Sequence, residues 1–186
     1  DASNAQEAIE RSIIGAMATE LDRVGLLVTG TAPEPRGIVN TSGIASIAHD
    51  AAISDYDVLV AAMRKLLDNN AGSPTAFLMS PREWQQFNEL TDTPGNAIIP
   101  PPAVRDVPFI PVTKLPTDGG AGNDESSIIT GDFTRLTFGV RSDMRIEVLN
   151  QTFAGKYQTA FLAAMRVDVQ LEHPSSFCEI TGVTAS

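Results

Sequence analysis

Between Tyr157 and Glu172 the chain alternates with a period of two. Tyr157, Thr159, Phe161, Ala163, Met165, Val167, Val169 and Leu171 share one parity, while Gln158, Arg166, Asp168, Gln170 and Glu172 place polar groups on the other. Side chains alternate faces along an extended backbone, so the pattern predicts one strand with a buried face and a progressively wetter one. At roughly 3.3 Å per residue it reaches about 50 Å. A compact chain of this length has a diameter near 40 Å, about 2.5 times its radius of gyration. Such an arm leaves ladder groups and apolar surface uncovered unless a neighbour supplies the cover, which points to an assembling subunit.

The N-terminal segment has a different period. Ser3 and Gln6 have the spacing of a capping box, and Ile9, Ile13, Met17, Leu21 and Val24 then recur at helical intervals up to about Val28. Gly30 to Gly43, with Pro33 and Pro35, is a turn-rich connection. Ser54 with Asp57 predicts the start of a second helix, whose stripe is Val58, Met63, Leu66 and Leu67 and which Asn69, Asn70 and Gly72 stop. Thr75 to Met79 reads as a short buried strand. Ser80, Pro81 and Glu83 supply a cap, a first-turn proline and a reciprocal carboxylate for a third helix, with Trp84, Phe87 and Leu90 as its core residues. Ile98 to Pro102 is extended and stiff, and Phe109 to Val112 is an edge strand because Pro108 and Pro111 interrupt its ladder. Asp118 to Asp124 is a mobile loop by composition. Ile128 and Ile129, then Leu136 to Val140, then Ile146 and Val148 read as strands joined by turns at Gly131-Asp132 and Ser142-Asp143, and Phe177 to Val183 as a final strand. Helices early and strands late give an α+β class.

Composition narrows the function. An apolar fraction of 42% with 19% charged residues suits a globular chain. The net charge of −10, with thirteen basic residues scattered singly, argues against a surface that grips nucleic acid. A like-charged wall can still enclose DNA without trapping it. Cys178 is the single cysteine, which excludes an intrachain disulfide and a thiolate metal cluster. No apolar run approaches the roughly 20 residues needed to span a bilayer. The chain begins at Asp1, directly before a helix, and is expected to be an excerpt of a longer product.

There is no Gly-x-Ser-x-Gly elbow, phosphate-binding glycine loop or His-Glu-x-x-His helix. His49 and His173 lie in unlike contexts, and a metal pair would need tertiary convergence plus a carboxylate. The Asp118 to Asp124 loop lacks the alternating ligands of a calcium site. Glu20 and Asp22, with Arg23 beside them, read as a solvated or interface face. The expectation is no catalytic residue, no cofactor and no metal.

Five stretches carry a resemblance over essentially the whole chain: AIERSIIGAMATELDRVGLLVTGTAPEPRGIVN, AFLMSPREWQQFNELTDTPGN, VPFIPVTKLP, GDFTRLTFGVRSDMRIEVL, and an Arg-bearing strand ending HPSSFCEITGV. Their order resembles the major capsid proteins of tailed bacteriophages of the Hong Kong 97 type. The resemblance implies a long spine helix closed by the Asp22, Gly30 and Gly37 stretch, a strand-to-helix turn at Met79-Ser80-Pro81 with Trp84, and a return at Gly131-Asp132-Phe133. It implies a peripheral domain of residues 1–30 and 135–171, built from the spine helix and long strands. Residues 31–134 and 172–186 then form a mixed α/β axial domain. The family's N-terminal arm and extended loop would precede this sequence. Some members crosslink subunits through a Lys and an Asn; the matching acceptor position falls near Tyr157, so that chemistry is not carried over.

The resemblance further implies a structural, non-enzymatic role. The chain would be a head-shell subunit forming hexamers and pentamers around DNA, with scaffolding, portal and maturation protease as assembly partners, no membrane, assembly in the host cytoplasm and a final place in the virion. Candidate subunit-interface residues are Arg141, Arg145 and Glu147, on the non-core parity of a strand, and Arg166 with Asp168. Charge pairs there would set register more than strength. The alternatives are an encapsulin-like compartment that encloses a protein cargo and, from another class, a small hydrolase or ligand-binding enzyme using His49 or His173.

Overall fold

The computed structural model describes residues 2–185. The first helix, α1, spans Ala2–Leu27 and its 26 residues give a rod of about 39 Å. The Ser3 side chain of the expected capping box lies outside the described residues, and the Gln6 side chain donates to Glu10 Oε1 at 2.9 Å, one turn on. Ile13, Met17, Leu21 and Val24 are half-buried along one stripe, whereas Ile9 and Ile14 are exposed. At the C-terminus the orphan carbonyls find partners. Asn40 Nδ2 donates to Leu27 O at 2.6 Å and Gly37 N to Val28 O at 2.8 Å. Gly37 must be glycine, because a Cβ there would sit 2.6 Å from the Leu26 carbonyl carbon.

Seven strands are present among the described residues: β1 (Ala45–Ala52), β2 (Ala76–Met79), β3 (Phe109–Pro111), β4 (Ser126–Gly131), β5 (Leu136–Phe153), β6 (Gln158–Leu171) and β7 (Phe177–Thr184). Five of them form one mixed sheet in the order β1-β7-β4-β2-β3, and β5 pairs only with β6. The class is α+β, as expected. The proline-flanked β3 takes an edge. Helices α2 (Asp57–Asp68), α3 (Pro81–Glu89) and the single turn α4 (Pro102–Arg105) complete the fold.

The sheet has a core on each face. Phe77, Met79, Ile128, Cys178 and Ile180 pack with Leu59, Ala62, Leu66 and Phe87 from α2 and α3. Their sequence neighbours Ile129 and Phe177 point the other way, towards Leu26, Ile38, Leu115 and Leu171. Period-two alternation thus serves both cores at once, which is why β4 and β7 read as continuous apolar runs. Tyr56 Oη donates to Phe87 O at 3.0 Å, and Phe109 meets the Phe77 ring edge-on at 5.4 Å.

The structure corrects several local expectations. Strand β1 occupies a stretch whose pattern predicts no element. Ser54 does not cap α2; Asp55 Oδ1 accepts the Asp57 N–H at 2.8 Å instead, and the buried stripe is Val58, Leu59, Ala62 and Leu66, with Leu67 exposed. Trp84 is 43% exposed, because α3 buries Glu83, Gln86 and Phe87, with Leu90 just beyond its end. Pro102 opens α4 rather than extending the stiff segment. Ser142-Asp143 makes no turn, since β5 runs through it, and the last long strand starts at Gln158, with Tyr157 in the turn before it at φ 53°.

The buried Glu83 ties α3 to the sheet. Its Oε2 accepts the Ser80 N–H at 3.0 Å, completing the capping box, while Oε1 accepts Ser126 Oγ at 2.6 Å and Arg82 Nε at 2.8 Å. Arg82 continues to Val183 O at 3.0 Å, and Gln86 Nε2 donates to Thr184 O at 3.2 Å. Removing the carboxylate strands the part-buried guanidinium and two donors. Glu83→Ala is therefore expected to lower the unfolding free energy by about 3 kcal/mol in urea titrations, and Glu83→Gln, which keeps part of the network, by about 1–2 kcal/mol.

Cys178 reports on the same core. Desolvation by burial pushes its thiol up to about 11, outweighing the opposite pull of Lys65. A disulfide reagent at pH 8 is expected to leave the folded protein unmodified and to titrate one thiol in urea. Reaction of the native chain at the rate of a free thiol would contradict this packing.

Candidate assembly surface

The β5–β6 ribbon owes its two faces to its register. Cross-strand partners share a face. Leu136 and Leu171, Phe138 and Val169, Val140 and Val167, Ile146 and Ala163, and Val148 and Phe161 are paired, and together they make an apolar face along the ribbon. Thr137 and Gln170, Gly139 and Asp168, Ser142 and Arg166, Arg145 and Ala164, and Glu147 and Leu162 make the opposite one. Between Val140 and Ser142 strand β5 carries one extra residue, and between Ser142 and Arg145 it carries another. One bulge would move every later side chain to the wrong face; two restore the parity. The polar Ser142-Asp143 pair thus marks a bend in a continuous strand.

Helix α1 lies against the apolar face near the ribbon's base. A Cβ at Gly25 would sit 3.1 Å from Phe138 Cζ, so this glycine sets the closeness of helix and ribbon. A cavity of about 380 Å³ remains at this junction, lined by Thr19, Asp22, Leu26, Leu136 and Phe138 together with Ile110 of β3. Arg23 fixes the helix end to the following turn, with Glu20 at 2.7 Å and Glu34 at 3.0 Å, and the same guanidinium holds the Glu20 carboxyl below its usual range.

All five candidate interface residues lie on or beside the mixed face. Arg145 Nε and Glu147 Oε1 are 2.9 Å apart. Asp168 Oδ1 accepts the Val169 N–H at 2.9 Å, Arg166 stands opposite Ser142, and Arg141 occupies the first bulge. Among the described residues no ion pair joins Arg166 to Asp168. Past the second bulge the mixed face holds a feature that the strand pattern hides: Leu149, Ala160, Leu162 and Ala164 adjoin, and Leu162 is 50% exposed. Its signal is present as apolar residues on the supposedly wet parity. Phe138, Val140, Val148 and Phe153 are also exposed.

The two histidines lie in different elements. His49 Nε2 lies 3.3 Å from Ala52 O, and His173 precedes the 3-10 turn Pro174–Ser176. Among the described residues, no three His, Cys, Asp or Glu side chains cluster to hold a metal, and no helix is long and apolar enough to cross a membrane. A groove of about 420 Å³ on α3 is lined by Tyr56, Trp84, Phe87, Ile98 and Phe109, with Arg105 at its border.

The chain is thus an α+β unit whose long ribbon leaves apolar side chains exposed on both of its faces. Residues 1–182 match the model of the Phage capsid family, and the chain belongs to that family. No curated protein matches the sequence. Among solved structures, the capsid of an empty GTA particle superposes with a TM-score of 0.71 at 17% identity, over 97% of this chain and 65% of that one. Gordonia phage Cozz gives 0.66 at 18% identity, over 98% of this chain and 64% of the other. The holo-SrpI encapsulin complex from Synechococcus elongatus PCC 7942 gives 0.64 at 16% identity, over 94% and 64%. These likenesses establish the fold, the Hong Kong 97 type, and the present chain spans just under two thirds of the length of each.

The Arg145–Glu147 pair is exposed and adds little to the chain's own stability. Arg145→Ala is expected to change the unfolding free energy by less than about 0.5 kcal/mol in urea titrations. An assembly defect in that variant would then be a defect between subunits.

Proposed function

We propose that this chain is the shell-forming part of a major capsid protein, which closes into pentamers and hexamers around DNA. The observation that carries the reading is the ribbon: β5 has 18 residues, about 60 Å of strand, with both outer edges unpaired among the described residues and apolar side chains exposed on both faces. A two-stranded ribbon is marginal alone and gains its stability from whatever packs on it. Family membership supports a virion location and a structural rather than catalytic role.

In this reading residues 1–30 and 135–171 form the peripheral domain, and residues 31–134 and 172–186 the axial domain that meets its copies around the symmetry axes. The separation of the five-stranded sheet from the ribbon supports that division. Arg141, Arg145, Glu147, Arg166 and Asp168 set register between neighbours, while apolar burial supplies strength. Scaffolding, portal and maturation protease act during assembly in the host cytoplasm, and a shell of such acidic chains encloses DNA without binding its sequence.

A compartment enclosing protein is the second reading, favoured by the encapsulin likeness, whose TM-score of 0.64 lies below the 0.71 of the GTA capsid. Electron microscopy of the complete gene product, with nuclease treatment, tests both. Closed shells holding nuclease-protected DNA are the expected outcome. Shells holding a co-purified protein would instead establish the compartment, and a product that forms no particle would overturn the shell reading.

A further inference from the structure

We infer that the distal half of the ribbon's mixed face, centred on Leu162, is an apolar docking surface for a second copy of this chain; the inference rests on the shell reading and names its contact. Beyond the second bulge the ribbon is apolar on both sides. Ile146, Val148 and Phe161 occupy the helix-side face, and Leu149, Ala160 and Leu162 the other. No described element packs a core against that second side, where Leu162 stays 50% exposed. Adjoining apolar side chains left exposed on a second face mark an interaction surface.

Charge identifies the occupant. Residues 136–171 hold four basic and three acidic side chains, against nine basic and twenty acidic in the remainder. The ribbon is thus the part of this acidic chain that another copy does not repel. Arg141 and Arg166, both exposed, flank the patch on its basal side and make no ion pair among the described residues, which leaves them available to a neighbour's carboxylates. Area sets the strength. The distal half of the strand pair, about 23 Å long and 10 Å wide, offers roughly 230 Å², a little over a quarter of the about 800 Å² that each partner brings to a stable standard interface. One such contact is weak, and a closed shell that repeats it many times needs no more.

The test compares complete gene products carrying Leu162→Asp, Leu162→Met or no change, scored for closed particles by sedimentation and electron microscopy. Leu162→Asp is expected to cut particle yield at least tenfold while the unassembled protein keeps its urea midpoint, and Leu162→Met to restore the yield. Hydroxyl-radical footprinting of unaltered particles, which does not depend on a variant folding, is expected to show Leu162 protected relative to unassembled protein. Wild-type particle yield from Leu162→Asp, or a Leu162 as reactive in particles as in free protein, overturns this inference and leaves the shell reading standing. An unaltered product that never forms particles removes both.

Discussion

An antiparallel ribbon keeps one face apolar only if the residues inserted into either strand cancel in parity, and much of this molecule depends on that constraint. Strand β5 inserts one residue after Val140 and a second before Arg145, so Phe138 and Val140 share a face with Ile146 and Val148. Each bulge sharpens the local twist and bends the strand. The pair therefore bends the ribbon midway without exchanging its sides. Below the bend the apolar face rests on α1 through Gly25 and Phe138. Above it, both faces carry apolar side chains, with Val148 exposed on one and Leu162 on the other.

The five-stranded sheet solves the opposite problem. Its central strands β4 and β7 are buried on both sides by the chain itself, with Ile128 and Cys178 facing one core and Ile129 and Phe177 the other. The Glu83 carboxylate then couples helix to sheet by accepting from the α3 cap, from Ser126 of β4 and from Arg82, which reaches the end of β7. A buried carboxylate with this many donors is costly to disrupt and geometrically specific. The sheet is thereby a firm body, and the ribbon projects from it: Leu171 at the end of β6 sits in the core shared with Phe177.

Much of this is legible in the residues, and the failures share a cause. The long helix, the parity of β6, the proline-limited edge of β3 and the Ser80–Glu83 capping box each obey a local rule that tertiary packing does not override. Strand β1 gives no such signal, because Ala45, Ala48, Ala51 and Ala52 are small and weakly strand-forming, and only the parallel register with β7 makes them a strand. Trp84 resembles a core residue on size alone. The buried face of α3 is set by Glu83, whose burial depends on Ser126, a partner 43 residues away. The bulges mimic a turn because a two-residue insertion leaves the hydrophobic alternation unbroken. Of the candidate interface residues, the register gathers Arg145, Glu147, Arg166 and Asp168 on one face, while the Leu149–Leu162 patch becomes visible only when both strands are aligned.

A firm sheet joined to a half-covered ribbon divides folding from association. The sheet completes its two cores within one chain, whereas the distal ribbon has too few partners there to bury its apolar groups. In the shell reading its stabilisation comes from other chains, and ordering the ribbon and joining neighbours are coupled steps. A shell gains from that coupling. Free subunits stay apart under the repulsion of an acidic surface, and the near-neutral ribbon is where that repulsion is weakest and apolar gain is greatest. Contacts that are individually weak can also be remade during growth, which lets a misplaced subunit leave before the shell closes around it.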